Sequence, residues 1–432
     1  MSDDEECASC RSWASDIFDA PDVVWHTTNK KGYEQEAKMG VDDEWQVLMS
    51  QEGRTLLAEV AAVPRPGPAD LDRWRQGTTT GMVSAAVRLA EARRRGSAKF
   101  ERAGKMWLDP TGLEQATAEP VARHKATRFD GAGVVVDLCS GIGGDAIALA
   151  GVARRVLAVD ADHAMGRRAR FNALAYGVGE RVLPIQARAE RFPIPTGALI
   201  QIDPDRRTGA RRARSLNDYV PGPAVLAGLA QSAPGGAIKL GPASDFEAHF
   251  GGPGFEIELV SLDGECKDAT VWFGSLTTCR RRASVLTSRG LSESWTDRDG
   301  PTGTRAPVVP LGGLIFDPDP ALGRAGLLDG FAVAQGLGRV AAGVDFLAGE
   351  PRLASRFLTT FEVVEVLSMD IKRLRRRIAE RGLGPLEIKP KGLDIRPEEL
   401  RSRLRPPGPE PASLLLIGGD GPARAVLARR CP

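Results

Sequence analysis

Short runs of β-branched and apolar residues alternate with helix-length segments between residues 134 and 273. The runs cover residues 134–136, 156–159, 182–185, 199–202, 237–240, 257–259 and 270–273. Strands of this length, separated by helices, predict repeated βα units and therefore a parallel sheet covered on both faces. The last two runs lie closer together, with Gly264 between them, which predicts a hairpin that ends the sheet antiparallel. The fold class is α/β.

The segments on either side of these units have a different character. Residues 45–127 have a mostly helical pattern, in which Val83, Val87 and Ala90 recur at helical spacing, and Gly53 and the proline-rich run 64–68 divide it. Residues 286–325 are rich in Gly, Pro and Asp, which indicates a linker or irregular insert. The remainder predicts strands at 361–367, 386–388 and 414–417 and helices at 370–381 and 397–404. The domains predicted are therefore residues 1–44, 45–127, 128–285, 286–325 and 326–432.

Composition and charge exclude several classes of protein. The chain has 432 residues, 42% of them hydrophobic, and no run of about 18 apolar residues that could span a membrane. Its first 45 residues carry 12 Asp and Glu against 4 Lys and Arg, so the N-terminus predicts a disordered acidic leader and not a signal peptide. Cys7 and Cys10 form a single C-x-x-C pair without a second pair, so we expect no metal site, and reduced thiols fit a cytoplasmic protein.

A glycine-rich turn follows the first strand, in the sequence Asp137-Leu-Cys-Ser-Gly-Ile-Gly-Gly-Asp145. Glycines allow close approach of a ligand to the backbone, and the amides at the start of the next helix suit polar or anionic groups. The spacing satisfies the dinucleotide pattern formally, so a nicotinamide dehydrogenase and an S-adenosylmethionine (SAM) enzyme are both candidates. Residues of the turn that we expect to bind the cofactor are Asp137, Cys139, Gly141, Gly143, Gly144 and Asp145.

Three carboxylates favour the SAM enzyme. Asp137 ends the first strand, where it could pair with the ammonium of an amino acid, a group that SAM has and a nicotinamide dinucleotide lacks. Asp160 ends the second strand, placed for both hydroxyls of a ribose. Asp203 follows the fourth strand in Asp203-Pro-Asp-Arg-Arg207, at the edge where open α/β sheets bind ligands. For methyl transfer to a nitrogen, Asp203 is the predicted hydrogen-bond acceptor and Asp205 the second candidate, with Arg206 and Arg207 as candidate phosphate contacts.

These motifs, taken together, resemble the bacterial class I SAM-dependent methyltransferases that carry a THUMP-like domain. The resemblance runs from about residue 94 to residue 405. Its motifs lie at 98–100 (Ala-Lys-Phe), 112–117 (Gly-Leu-Glu-Gln-Ala-Thr), 137–145, 203–207, 264–267 (Gly-Glu-Cys-Lys) and 387–392 (Glu-Ile-Lys-Pro-Lys-Gly). It implies a helical N-terminal domain, a Rossmann-like methyltransferase core, SAM as cofactor, and a C-terminal module that contacts RNA. Lys267 is a candidate substrate contact through this resemblance alone.

Two positions depart from the methyltransferase pattern. The stretch after the third strand lacks the usual acid, so either Glu190 or a backbone amide is expected to hold the adenine amine. No aromatic residue follows Asp203-Pro204, although enzymes that methylate amino groups of nucleic acids stack one on a flipped base. This departure argues against methylation of a base amino group by that route. The resemblance still leads us to expect methylation of a ribosomal or transfer RNA nucleotide. The alternatives are a non-catalytic protein that binds SAM or RNA, and a methyltransferase acting on a protein or a small molecule.

The C-terminal module has a strongly basic helix. Between residues 371 and 405 there are 12 Lys and Arg and 5 Asp and Glu, while Ile371, Leu374 and Ile378 form one apolar stripe. Such a helix neutralises phosphates without reading bases. Arg373, Arg376 and Arg377 are the predicted RNA contacts.

Overall fold

A computed structural model describes residues 24–25, 44–208, 211–212, 215–352 and 354–431. The predicted acidic leader, apart from residues 24–25 and 44, and the Cys7–Cys10 pair lie outside these ranges. The chain divides into two compact units. The first comprises the described residues up to Lys239 together with Phe273–Leu276, and the second comprises Leu240–Trp272 and the described residues from Thr277 onward. The helical segment therefore shares a unit with the parallel sheet.

The first unit begins with helices, as the sequence pattern predicts. They are α1 (Glu44–Met49), α2 (Gln51–Ala61), α3 (Pro68–Gly77), α4 (Thr80–Gly96), α5 (Pro110–Gln115) and α6 (Glu119–Ala126). Thr79 caps α4 by accepting a hydrogen bond from the Met82 amide, and Val83 and Ala90 are buried on its inner face. The division of α1 from α2 lies at Ser50 instead of Gly53. Gly53 lies inside α2, where a Cβ atom would come within 2.1 Å of the Val47 carbonyl, so the close approach of α1 requires glycine.

Five parallel strands form the centre of the first unit. They are β2 (Val134–Leu138), β3 (Arg155–Asp160), β4 (Val182–Gln186), β5 (Leu199–Ile202) and β8 (Gly235–Leu240), in the order β4-β3-β2-β5-β8, with the two-residue strand β1 (Val24–Trp25) antiparallel to β4. Helices α7 (Gly144–Leu149), α8 (His163–Ala175) and α9 (Pro223–Ser232) connect them. The short strands β6 (Arg207–Thr208) and β7 (Arg211–Arg212) pair with each other after β5. The strand order reverses beside β2, which is the switch point where open α/β sheets bind ligands.

The second unit contains the predicted hairpin, which does not end its sheet. Strands β9 (Phe255–Leu262) and β10 (Glu265–Gly274) are neighbours, joined by Asp263 and Gly264, which both have positive φ. Beyond β9 come β11 (Arg281–Leu286), parallel to it, and the antiparallel β12 (Ser292–Thr296). The segment predicted as irregular also contains β13 (Leu314–Pro318) and helix α11 (Pro320–Arg324). Strand β12, with the sequence Ser-Glu-Ser-Trp-Thr, lacks the apolar run from which strands are predicted.

A second sheet lies in the C-terminal part of this unit. Its order is β14-β15-β13-β16-β19-β18-β17, in which only β17 and β18 are parallel among the described pairings. The further strands are β14 (Leu337–Arg339), β15 (Leu347–Gly349), β16 (Leu358–Ser368), β17 (Leu383–Lys391), β18 (Glu410–Ile417) and β19 (Arg424–Arg430). The helices of the unit are α10 (Phe246–Phe250), α11, α12 (Leu328–Gln335), α13 (Ile371–Glu380) and α14 (Pro397–Leu404). Leu374 and Ile378 of α13 are fully buried, so the predicted apolar stripe does pack into the core.

Candidate functional site

A cavity of about 420 Å³ opens at the carboxyl ends of the parallel strands in the first unit. The turns after β2, β3, β4 and β5 contribute to its lining, as do residues 111–112 and 114–117, which belong to helix α5 and the two residues after it. Its position beside β2 is the switch point of the sheet. The predicted residues that line it are Asp137, Cys139, Gly141, Gly144, Asp145, Asp160, Glu190, Asp203, Asp205 and Arg206.

Positive φ angles shape the glycine-rich turn. Gly141 has φ 52° and a Cβ atom there would meet nothing within 4 Å, so its open side belongs to the cavity. Gly143 has φ 82°, and a Cβ atom there would lie 2.9 Å from the Ala169 backbone on α8. Cys139 also has a positive φ, of 60°, and burial raises the pKa of its thiol well above the usual range, so a nucleophilic thiolate is disfavoured.

Asp160 supports this turn from the neighbouring strand. Its Oδ2 accepts a hydrogen bond of 2.8 Å from the Gly141 amide, and its Oδ1 accepts one of 2.9 Å from the Asp162 amide. Burial raises the pKa of Asp160, although these two amides oppose the increase. A carboxylate oxygen has two acceptor positions, so both oxygens keep capacity for ribose hydroxyls.

Asp137 lies buried at the floor of the cavity. It is 1% exposed, and its Oδ2 accepts no hydrogen bond from the residues that the structure describes. Burial, with the nearby carboxylate of Asp145 as the next cause, raises the pKa of Asp137 well above its usual range. A cationic donor in the cavity would both pair with this oxygen and favour its ionised form.

Asp203 forms an ion pair that the sequence did not reveal. Its Oδ2 lies 2.6 Å from Nζ of Lys239, which comes from the end of β8 and has a side chain only 2% exposed. Burial raises the pKa of Asp203, and the Lys239 ammonium is the largest opposing cause. Asp205 is exposed at the mouth of the cavity, where its Oδ1 accepts a hydrogen bond of 3.0 Å from the Gln115 amide.

Asp145 belongs to a second buried network. Its Oδ1 lies 2.9 Å from Nζ of Lys125 on α6, and its Oδ2 accepts a 2.7 Å hydrogen bond from the Thr117 hydroxyl. Burial is the largest single effect and raises the pKa of Asp145, but the charges of Lys125 and Lys239 and the hydrogen bonds from Thr117 and Lys125 together outweigh it, so the pKa is lowered overall. Gln115, Thr117, Lys125 and Lys239 were not among the predicted site residues. Gln115 and Thr117 do lie in the Gly-Leu-Glu-Gln-Ala-Thr motif, which was the available signal.

The remaining predicted residues of the first unit lie around the rim. Glu190 is exposed in a 3₁₀ turn, residues Ala189–Arg191, just after β4. Arg206 lines the cavity beside Asp205, and its charge lowers the pKa of Asp203. Only the backbone of Arg207 is described, in β6.

The other predicted substrate contacts belong to the second unit. Lys267 on β10 pairs with Glu265 at 2.5 Å. On α13, Arg373 is exposed, whereas Arg377 pairs with Glu365 at 2.9 Å and Arg376 lies 3.6 Å from Glu380. Two of the three helix arginines therefore have acidic partners in their own unit.

Metal and membrane features are absent from the described part of the chain. No group of three His, Cys, Asp or Glu side chains there could hold a metal ion. None of the helices described has the length and apolar composition needed to cross a membrane.

Comparison with known proteins identifies the family. The chain is 36% identical over 332 residues to an uncharacterised S-adenosylmethionine-dependent methyltransferase of Mycobacterium tuberculosis, found in two strains, and the match covers 75% of this chain and 88% of the relative. The chain belongs to the S-adenosylmethionine-dependent methyltransferases. The dehydrogenase interpretation is therefore wrong, and the cofactor is SAM.

Two family models match parts of this methyltransferase. Residues 132–207 match the model described as RNA cap guanine-N2 methyltransferase, and residues 358–430 match the THUMP domain-like model. The solved structure of a proposed methyltransferase from Porphyromonas gingivalis W83 has a TM-score of 0.69 at 17% identity. That match covers 91% of this chain and all of the other, which confirms the fold class.

The acidic side chains that line the cavity of the methyltransferase suit the positive charges of SAM. SAM carries an ammonium and a sulfonium, and the cavity is lined by the carboxylates of Asp137, Asp160 and Asp203. The buried Asp137 Oδ2 lacks a partner among the described residues, as a site for an ammonium requires. The open side of Gly141 leaves room for a ligand against the backbone.

Proposed function

We propose that this methyltransferase transfers the methyl group of SAM to an amino nitrogen of an RNA base. The observation that carries the proposal is the ion pair between Asp203, which lines the cavity, and the buried Lys239. The Lys239 ammonium favours the ionised form of Asp203, the proposed acceptor, in a chain of which residues 132–207 match an RNA methyltransferase model and residues 358–430 match a THUMP-like model. Guanine N2 is the first atom to test, because the first of these models is described by that reaction.

The cofactor residues have separate roles in this proposal. Asp137 would receive the ammonium of SAM, and the backbone at Gly141 would lie against its amino-acid end. Asp160 would hold the ribose hydroxyls while it supports the Gly141 amide. Glu190, exposed after β4, would accept a hydrogen bond from the adenine amine. Cys139, Gly143, Gly144 and Asp145 would form the turn and its support.

Methyl transfer requires geometry and one proton acceptor. SAM supplies an electrophilic methyl carbon: the lone pair of the acceptor nitrogen forms the new N–C bond, and the S–C bond breaks with its electron pair on sulfur. The nitrogen then carries an extra proton, which passes to the Asp203 carboxylate and from there to solvent. Asp203, whose ionised form the Lys239 ammonium favours, orients the N–H of the acceptor and stabilises the positive charge that develops. Asp205 is the second acceptor, at the entrance, and Arg206 is a candidate phosphate contact.

The basic helix α13 is the proposed contact to RNA. Lys372, Arg373 and Arg375 are exposed and make no ion pair with the described residues, so their charges can neutralise phosphates. Arg376 and Arg377 lie on the same helix, but Arg377 pairs with Glu365 and Glu380 and Arg376 pairs with Glu380. We therefore assign the larger part of RNA binding to the first three residues. Lys267, paired with Glu265, is a minor candidate. Because the expected substrates are ribosomal or transfer RNAs, we expect the enzyme in the cytoplasm.

The proposal is tested by following the methyl group. RNA, protein and small-molecule fractions from cells that lack the gene are incubated with the purified enzyme and tritiated SAM. We expect the label in RNA, with digestion yielding an N-methylated nucleoside. Label in the protein or small-molecule fraction would replace the RNA substrate with that class. SAM binding without transfer to any fraction would favour a non-catalytic binding protein.

A further inference from the structure

Residues 109–117, which we call the arm, lead from the helical segment to the wall of the SAM cavity. The arm begins at Asp109, which caps α5 by accepting hydrogen bonds from the Thr111 and Gly112 amides. Asp109 also pairs with Arg168 of α8 at 3.1 Å. The start of the arm is therefore fixed to a helix that packs on the parallel sheet.

Gly112 lets the arm contact the glycine-rich turn. A Cβ atom at Gly112 would lie 2.4 Å from Cγ2 of Ile142, which lies between the two left-handed glycines of that turn. The buried side chain of Asn172 holds the same region, because its Nδ2 donates to the Ile142 carbonyl and its Oδ1 accepts from the Trp107 amide. The arm and the SAM-binding turn thus form one packed structure.

Lys99 holds the other end of the arm. Its Nζ donates hydrogen bonds to the carbonyls of Leu113 at 2.7 Å, Ala116 at 2.8 Å and Glu114 at 3.1 Å. These carbonyls lie at the C-terminal end of α5, where the helix has no further backbone donors of its own. One half-buried ammonium therefore fixes the backbone on both sides of Gln115.

Gln115 connects the arm to both catalytic candidates. Its side-chain Nε2 donates to Oδ1 of Asp205 at 3.0 Å. Its backbone carbonyl accepts a 3.4 Å hydrogen bond from Lys239, the residue that pairs with Asp203. Residues 111–112 and 114–117 line the cavity together with Asp203 and Asp205.

We propose that Gln115 is a positioning residue for the methyl acceptor: it holds Asp205 at the mouth of the cavity, and Lys99 fixes the arm that carries it. This inference rests on the proposed function, in which Asp205 contacts the acceptor base. It gives roles to two motifs, 98–100 and 112–117, that the function proposed above does not use. The helical segment is then part of the substrate site.

The matched test uses Gln115→Ala and Lys99→Met, with Lys105→Met as control, since Lys105 is an exposed lysine in a 3₁₀ turn of the same segment. Loss of the side-chain amide removes one hydrogen bond to Asp205, so we expect KM for RNA to rise about fivefold, the value of one hydrogen bond. We expect kcat and the SAM Kd to change by less than about twofold. Lys99→Met should also raise the KM for RNA. Lys99→Arg, which keeps the charge and the hydrogen-bond donors, should raise it less than Lys99→Met does.

A second readout separates positioning from a structural role. In Gln115→Glu, a carboxyl replaces the amide donor opposite Asp205, with Lys99, Lys239, Asp203, Glu114 and Arg206 as the charged groups around it. A protonated Glu donates as the amide does, whereas an ionised one repels Asp205. We expect the KM of this variant to approach that of the wild type as the pH falls from 8 to 6. The control should match the wild type throughout.

The outcomes distinguish the inference from the function on which it rests. If the wild type methylates RNA but Gln115→Ala keeps its KM, Gln115 does not position the acceptor. If Gln115→Ala raises the KM for RNA but also weakens SAM binding or lowers Tm, the arm has a structural role and does not position Asp205 specifically. If the wild type methylates no RNA, the proposed function fails first, and this inference fails with it.

Discussion

Nζ of Lys239 lies 2.6 Å from Oδ2 of Asp203; the lysine side chain is buried, whereas the Asp203 side chain is 20% exposed and lines the cavity. Two effects on the protonation of Asp203 oppose each other: burial raises the pKa of Asp203 and favours its protonated form, whereas the Lys239 ammonium lowers this pKa. A protonated carboxyl is neutral, so it would stabilise a developing positive charge less than a carboxylate does. Lys239 is therefore the main group that favours the ionised form of Asp203.

Removing this ammonium should shift the pH dependence of methyl transfer. Burial raises the pKa of Asp203 and Lys239 lowers it, so Lys239→Met raises it further. The active carboxylate exists above this pKa. We therefore expect the acidic limb of the kcat/KM profile to move to higher pH by about one unit or more. The measurement is a pH–rate profile for the wild type, Lys239→Met and Lys239→Arg.

Lys239→Arg keeps the positive charge and serves as the control. Its acidic limb should stay near that of the wild type. The account of Asp203 would be contradicted by a Lys239→Met enzyme that is folded and active with an unshifted limb.

Asp137→Asn should weaken SAM binding and stabilise the free protein. Because burial raises the pKa of Asp137, the folded wild type retains a proton that the unfolded chain releases above its ordinary pKa of about 4. Wild-type stability therefore falls as the pH rises from that value towards the raised pKa, whereas Asn does not titrate. We expect the variant to have the higher Tm at pH 7, with the gap narrowing towards pH 4.

The same variant lacks the charge that pairs with the ammonium of SAM. We expect its SAM Kd to rise about tenfold or more, the value of a charge-assisted hydrogen bond. Calorimetry and thermal unfolding on one preparation measure both effects. Unchanged SAM affinity would remove Asp137 from the cofactor site.

The two left-handed glycines should respond differently to alanine. Gly143→Ala forces a Cβ atom against the Ala169 backbone in addition to an unfavourable φ, so we expect a loss of about 2 kcal/mol or more of unfolding free energy. Gly141→Ala meets no atom of the protein, so only backbone strain of about 1 kcal/mol applies. Its methyl group instead occupies the cavity, and SAM affinity should fall. Denaturant unfolding and SAM titration of both variants measure these effects. A larger loss of stability in Gly141→Ala, or a larger loss of SAM affinity in Gly143→Ala, would contradict the roles given to the two glycines.

Reversing the charge of Lys372, Arg373 and Arg375 to Glu should weaken RNA binding at low salt. The salt slope of log Kd should become shallower, because fewer phosphates are neutralised. The SAM Kd should stay within about twofold of the wild type, since these side chains are exposed and without ion pairs among the described residues. Filter binding across a salt series measures both.

A matched control carries the same change of charge at Arg65, Arg73 and Lys105, which are exposed in the first unit. An equal loss of RNA affinity in this control would show that net charge, and not α13, determines binding. In that case Arg206 would become the better candidate for the phosphate contact.

The sequence predicted the part of the site that strands position. Asp137, Asp160 and Asp203 follow apolar runs, and the carboxyl ends of parallel strands meet at one edge, so local pattern was sufficient. Lys239 stands in the run 235–240, where the pattern predicts only a buried strand. Its role depends on Asp203, which is 36 residues away in the sequence, and the spacing of apolar residues along the chain does not predict such a contact.

The contribution of the helical segment was missed for the same reason. Lys125 and Gln115 lie in segments that were predicted as a separate domain, and their partners Asp145 and Asp205 lie beyond the first strand. The strand Ser292–Thr296 was missed because its residues are mostly polar. Tertiary contact, not propensity, determines these features.

The most direct test of the account is methyl transfer to RNA by the wild type and by Asp203→Asn, at saturating SAM. Asn keeps the shape of Asp203 but cannot carry its charge. We expect the wild type to label RNA and the variant to be slower by about a hundredfold or more, with SAM affinity within about threefold of the wild type. Equal transfer rates at equal SAM occupancy would contradict the account, because the acceptor for the reacting nitrogen would then lie elsewhere.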